Sequence, residues 1–286
     1  MDEQYCALII DLLKSKSYTI DIRNSIQHMM WKTISALNSL FHSSMLRSVD
    51  FSAGDEIQGL FVSAQSAYMY YRLFSMIMFP VKIRAGIGMG SWDVCLENKG
   101  TTGQDGRAYH NARHAIECTD ENEGYPILLF SGNRKDAIIN TVTGTAALLC
   151  DEQSIYQNQL LLLAELLAPV KVKGIENLYE MHNVNVNDIL QMKNEFNHCM
   201  SIAEKALPLD KIQYGIEKHI MQFDQDDICE EQTFFVTHGK KRGLSTCLAE
   251  LLQISRQSID KTLRAGNVFI IRNMAITAIS EMRYLS

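Results

Sequence analysis

Long apolar runs are missing from the start of this 286-residue chain. The opening MDEQYCALIIDLLKSK puts acids ahead of an apolar stretch of about seven residues, where a membrane helix needs ~20 and a secretory signal a basic flank. A soluble, cytoplasmic protein with no membrane contact is expected. The 7 cysteines form no CxxC pair, which leaves neither zinc-ligand spacing nor a disulfide framework and points to buried free thiols. Repeats and low-complexity tracts are also lacking.

Positive charge is scarce overall, at a net −6, but it is unevenly spread. Residues 1–150 carry 13 basic and 15 acidic side chains, residues 151–235 carry 6 and 15, and residues 236–286 carry 8 and 3. Only the last segment has the balance that attracts a polyanion. The acidic middle reads as a solvated surface, with a dimerisation or sensing element as the alternative.

Hydrophobic spacing predicts the elements. Tyr5–Asp11 is a short apolar run that reads as a buried strand, and from Ile20 to Phe41 the apolar residues recur at three and four positions, as on a helix face. Leu46–Ser52 and Ile57–Phe61 read as a hairpin around Ala53-Gly54-Asp55-Glu56. Ser63–Met78 follows as a helix, Val81–Gly88 and Trp92–Leu96 as strands, Ala108–Cys118 as a helix and Tyr125–Phe130 as a strand. That order predicts an α+β fold: a ferredoxin-like antiparallel sheet with helices on one face. Beyond Phe130 an all-α region is expected, with helices over Lys135–Leu149, Glu152–Leu167, Val184–Ala206 and Leu209–Phe223. The domains expected are 1–133, a helical 134–235, and 236–286.

Asp11 ends the first strand, and Asp55 and Glu56 stand at the hairpin turn. A ferredoxin-like sheet places the first strand beside the third, which gathers these carboxylates at one edge. Close carboxylates repel unless a cation joins them, so Asp11, Asp55 and Glu56 are candidate ligands for Mg²⁺ or Mn²⁺. Such a site would hold a nucleotide's phosphates, with Lys14, Gly54 and Arg107 as candidate nucleotide-binding residues. The plain alternative is a turn aspartate and a strand-end aspartate. His110 and His114 share a helix face but lack a third ligand.

Taken together, IIDLLKSK, SAGDEIQGLF, IRAGIGMG and GQDGRAYHNARHAI, followed later by a helix-turn-helix, resemble the SatD family of bacterial proteins. The part over residues 5–133 is similar to class III nucleotidyl cyclases, and its Gly-Asp-Glu turn to diguanylate cyclases. The resemblance implies that Asp11 and Asp55 hold metal and that Arg113 is the catalytic arginine stabilising the transition state. The cyclase asparagine falls on Tyr109, with Asn111 nearby, and the purine-selecting lysine falls on Phe51. Cyclases of this class build their sites across dimers, so a homodimer is implied.

At the C-terminus, LAELLQISRQSIDKTLR has the helix-turn-helix pattern, with Ser255 as N-cap of the second helix. Docked in a major groove, that helix would present Arg256, Gln257 and Ser258 to bases and Lys261 and Arg264 to phosphates, helped by Lys240, Lys241 and Arg242. Three functions follow. The first is a DNA-binding regulator whose cyclase-like domain senses nucleotide and metal. The others are an active nucleotidyl cyclase or nucleotidyltransferase and a dimerisation scaffold.

Overall fold

A computed structural model describes residues 4–96, 101–121, 124–170, 186–209, 212 and 234–285. The N-terminal half runs β1 (Tyr5–Leu12), α1 (Ile20–Leu40), β2 (Met45–Ala53), β3 (Glu56–Phe61), α2 (Ala64–Met78), β4 (Ile83–Gly90), α3 (Arg107–Glu121) and β5 (Ile127–Phe130). The sheet order is β2-β3-β1-β4-β5. Its first four strands pair antiparallel in the expected ferredoxin-like arrangement. The fifth joins β4 in parallel after a crossover through α3.

The period of two along β1 divides the core. Leu8 and Ile10 face α1 and α2 in one hydrophobic cluster, whereas Ala7 and Ile9 meet Ala108, Tyr109, Ala112 and Ile116 of α3 in another. Helices therefore cover both faces, not the one face expected, because a parallel fifth strand needs its crossover helix on the other side. Glycines in β4 make room for it. A Cβ on Gly88 would stand 2.0 Å from the Ala112 nitrogen, and one on Gly86 2.2 Å from the Ala112 carbonyl. They serve helix packing.

The strand expected at Trp92–Leu96 is a loop with a single bridge, Val94 to Asp105. Both flanks of β4 are already taken by β1 and β5, so this segment cannot fold back to pair with the strand it follows. The Gln104 side chain holds it instead, accepting from the Trp92 indole at 3.1 Å and donating to the Leu96 carbonyl at 2.8 Å. Cys6 and Cys247 are the buried thiols expected, but Cys95 and Cys199 are exposed.

The helical half comprises α4 (Asp136–Asp151), α5 (Ile155–Leu167), α6 (Val186–Cys199), α7 (Leu244–Leu252), α8 (Arg256–Ala265) and α9 (Val268–Met282). Instead of continuing to Ala206, α6 stops at Cys199 and is followed by a 3-10 turn, Ala203–Lys205. The helix expected over Leu209–Phe223 lies outside the described residues apart from Leu209 and Ile212. One hydrophobic cluster runs through all three expected domains, from Leu8 through Leu161 to Ile259 and Ile276.

Three ionised side chains lie inside that cluster. Glu165 of α5 is 1% exposed, between Arg72 of α2 at 4% and Arg272 of α9 at 0%. Arg72 donates to Glu165 Oε1, and Arg272 Nη1 stands 3.1 Å from Oε2. Arg272 also donates to the carbonyls of Gly239 at 2.8 Å and Ala168 at 2.5 Å. Buried charges are tolerable only when paired and hydrogen-bonded, so this triad is the polar joint between sheet-packed helices and C-terminal helices. Lys193 of α6, also fully buried, donates to the carbonyl of Ile77 at 2.8 Å and to that of Phe79 at the end of α2. Burial pushes its pKa down to about 7.

Two outcomes are expected. Glu165→Gln strands two buried guanidiniums and should cost about 3–5 kcal/mol in denaturant unfolding, whereas replacing all three members with Met or Leu should cost far less. Lys193 binds its proton less tightly folded than unfolded, so the wild type should gain stability over Lys193→Met as pH rises from about 7 towards 10, by up to about 1.4 kcal/mol per pH unit. Parallel pH profiles for the two proteins would contradict that.

Candidate functional site

Two places gather the residues singled out in the sequence. The first is the sheet edge where β1 ends. Asp11 stands opposite Arg84 in the β1–β4 register, and both side chains point to the α3 face. Arg84 donates to Asp11 Oδ2 from Nε at 3.0 Å and Nη2 at 2.8 Å, and Nη1 also donates to Asp120 of α3. One strand over, Glu56 accepts from Arg113 Nη2 at 2.7 Å and from the Ser52 hydroxyl at 2.7 Å. A second bond from Arg113 Nη1 makes that pair bidentate.

The hairpin that delivers Glu56 is a two-residue loop, with Ala53 paired to Glu56. Its first position, Gly54, has φ of 61°, which glycine adopts at no steric cost. Burial raises the Glu56 pKa, but the hydrogen bonds from Arg113 and Ser52 outweigh it and hold the carboxyl below its usual value. Arg113 is pushed up, chiefly by its hydrogen bond to Glu56, and Arg84 is also raised, with its bonds to Asp11 and Asp120 overcoming desolvation.

The structure thus brings Asp11, Glu56 and Arg113 to one edge, with Gly54 and half-buried Asp55 on the adjoining turn. It does not bring Arg107 there: that side chain opens α3 beside Gly90, at the far end of β4. Lys14 is exposed three residues past Asp11, with left-handed backbone (φ 56°). Tyr109 packs in the core under α3, and Asn111 donates to the Met89 carbonyl at 2.6 Å. His110 pairs with Asp105 at 3.1 Å and His114 packs edge-on against Phe130.

As placed, these residues do not suit a divalent cation. The carboxylates of Asp11 and Glu56 are already taken by guanidiniums, and among the described residues no group of three or more His, Cys, Asp or Glu is arranged to hold a metal. Arg84 and Arg113 bring positive charge to these two carboxylates. They tie the ends of β1, β3 and β4 to α3.

The second place is the α7–α8 pair. Gln253, in the left-handed region at φ 54°, breaks the backbone between the two helices, and Ser255 caps α8 by accepting from the Ser258 N–H at 3.2 Å. Ile259 and Leu263 are the buried side of α8, while Arg256, Gln257, Ser258, Lys261 and Arg264 are all exposed. Beside them lies a cavity of about 430 Å³ between α8 and the start of α7. Lys240, Lys241, Arg242, Arg256 and Arg264 line it, and Asp260 is the one carboxylate among its lining residues.

The fold and these two places define a class: an α+β protein with a ferredoxin-like sheet, extended by a parallel strand and joined through a buried ionic triad to a helical C-terminal half. The sequence profile of the SatD family matches residues 5–168, more than half of the chain, and the protein belongs to that family. The match ends before α6, so the C-terminal helices, expected within the resemblance, lie beyond it. Among solved structures, a bacterial light-regulated adenylyl cyclase is similar at 12% identity and a TM-score of 0.34, covering 46% of this chain and 78% of that one. A second structure of a bacterial light-regulated adenylyl cyclase gives 11% and 0.33, covering 69% of this chain and 57% of that one. No curated protein matches. No helix among the described residues is long and apolar enough to cross a membrane.

Sequence reasoning missed the Arg72–Glu165–Arg272 triad, buried Lys193 and the bridging role of Arg84. An arginine inside the apolar stripe of a helix was the available signal, since such a position demands a partner. The sheet-edge pairs make a testable statement. Because the Glu56 pKa is depressed, its contribution is present above the unfolded value of about 4.3 and is lost as pH falls through the lower folded value. The destabilisation by Arg113→Ala should therefore be largest near neutral pH and vanish in acid. With Arg113 44% exposed, solvent screening keeps it to about 1 kcal/mol or less.

Proposed function

We propose that this SatD-family protein binds duplex DNA through α8, with the sheet half as a rigid body that carries the reading head. The observation that carries the reading is the division of α8 into two sides. Ile259 and Leu263 fix it in the core, Arg256, Gln257 and Ser258 stand in solvent at the end that the Ser255 cap holds in place, and Lys261 and Arg264 are exposed further along the helix. That arrangement suits a helix entering the major groove with its N-terminal residues towards base edges.

Charge supports it. The segment that carries α8 is basic in an acidic chain, and phosphate neutralisation supplies most nonspecific affinity for DNA. Two copies on adjacent half-sites would raise the affinity of a small head. The triad ties α9 to α2 and α5, and α8, which precedes α9, is anchored in the same core through Ile259 and Leu263. Nucleotide or metal at the sheet edge would have to displace Arg84 or Arg113 from its carboxylate, and this reading treats those pairs as a structural lock.

Electrophoretic mobility shift across a salt series tests the proposal with Arg256→Ala combined with Lys261→Ala. The pair should weaken retardation about tenfold or more and flatten the salt dependence, by about one unit of log–log slope for each phosphate no longer neutralised. Retardation and slope equal to wild type would refute the assignment of α8 as the reading helix.

A further inference from the structure

The cavity beside α8 is an open concavity into which the exposed Lys240, Arg242, Arg256 and Arg264 converge. Its volume of about 430 Å³ falls within the ~300–1,000 Å³ typical of small-molecule sites and exceeds the needs of one phosphate group. Lys240, Arg242, Arg256 and Arg264 approach it from two separate chain segments, so the fold has assembled the charge there. Asp260 offsets one cation and also lies 3.7 Å from Arg256 Nε, which orients that guanidinium.

Two further features narrow the ligand. The first turn of α7 lines the cavity through Gly243, Ser245 and Thr246, and no side chain caps it, so its amide dipoles add to the positive potential. The Phe269 ring forms part of the wall, with Lys240 Nζ 5.7 Å from its centroid. Clustered cations with hydroxyls on one side and an aromatic face on another suit a molecule carrying several phosphates and a planar ring.

We propose that this cavity binds a nucleoside polyphosphate, its phosphates among Lys240, Arg242, Arg256 and Arg264 and its base against Phe269. Arg256 and Arg264 are also the cations that α8 offers to DNA. Nucleotide and DNA therefore compete for them, a consequence that rests on the DNA-binding reading, whereas the nucleotide site itself does not.

Isothermal titration of the full chain at low salt without DNA, using ATP and separately tripolyphosphate, tests the site. ATP should bind once per chain and more tightly than tripolyphosphate. Lys240→Ala with Arg242→Ala should weaken ATP at least tenfold, Phe269→Leu should weaken ATP while sparing tripolyphosphate, and Asp11→Asn at the sheet edge should change neither. Should the double variant fail to fold by circular dichroism, Arg264→Gln serves in its place. Absence of ATP binding, affinity unchanged in the cavity variants, or affinity lost in Asp11→Asn would each overturn the inference. Mobility shift with added ATP separates the two readings. Duplex binding that ATP does not weaken, in a chain whose titration shows no ATP bound at the cavity, removes the cavity proposal and leaves the DNA reading; ATP binding lost in the cavity variants, with no duplex retardation, does the reverse.

Discussion

The molecule is organised around a carboxylate that no water reaches. Glu165 lies between Arg72 and Arg272, and each belongs to a different helix, so both guanidiniums meet their shared carboxylate only when α2, α5 and α9 are all in place. Desolvating one ion without its partners costs several kcal/mol, which gives this joint a strong preference for a single arrangement. Arg272 extends the constraint by donating to the carbonyls of Gly239 and Ala168, so the chain leaving α5 and the chain entering α7 are held by the same guanidinium.

A related economy governs the sheet edge. Asp11 and Glu56 come together because β1 lies between β3 and β4, and close carboxylates require a counter-charge. Arg84 and Arg113 provide it from β4 and α3, and in doing so fasten the crossover helix to the end of the sheet. Each of these two acids is thus paired with an arginine. In the C-terminal segment Lys240, Lys241, Arg242, Arg256 and Arg264 line one cavity, and Lys261 is exposed on α8.

Much of the secondary structure was legible because it depends on local spacing. The Gly54-Asp55 turn, the strand-to-helix change after Ile20 and the Ser255 cap are each set by residues within a few positions of one another, and each is found. The failures involve partners distant in sequence. Trp92–Leu96 has a strand's composition, but both flanks of the neighbouring β4 are taken, and the packing of α3 over Gly86 and Gly88 was not foreseen. Asp11 and Glu56 were rightly placed together, but the spacing of acids cannot show that arginines 73 and 57 positions away would reach them.

By itself, the sequence determined the alternation of strands and helices, the ferredoxin-like strand order, and which segment carries excess positive charge, since periodicity, turn chemistry and composition are properties of the chain alone. Only the tertiary structure decided that α3 covers the second face of the sheet, that Arg72, Glu165 and Arg272 share one buried site, and that the basic residues before α7 meet those of α8 around a cavity. The physical reason is that burial and pairing energies depend on which distant residues share a space. Electrostatic interactions in particular change from negligible to dominant as water is removed from between the charges, and the fold alone determines where that happens.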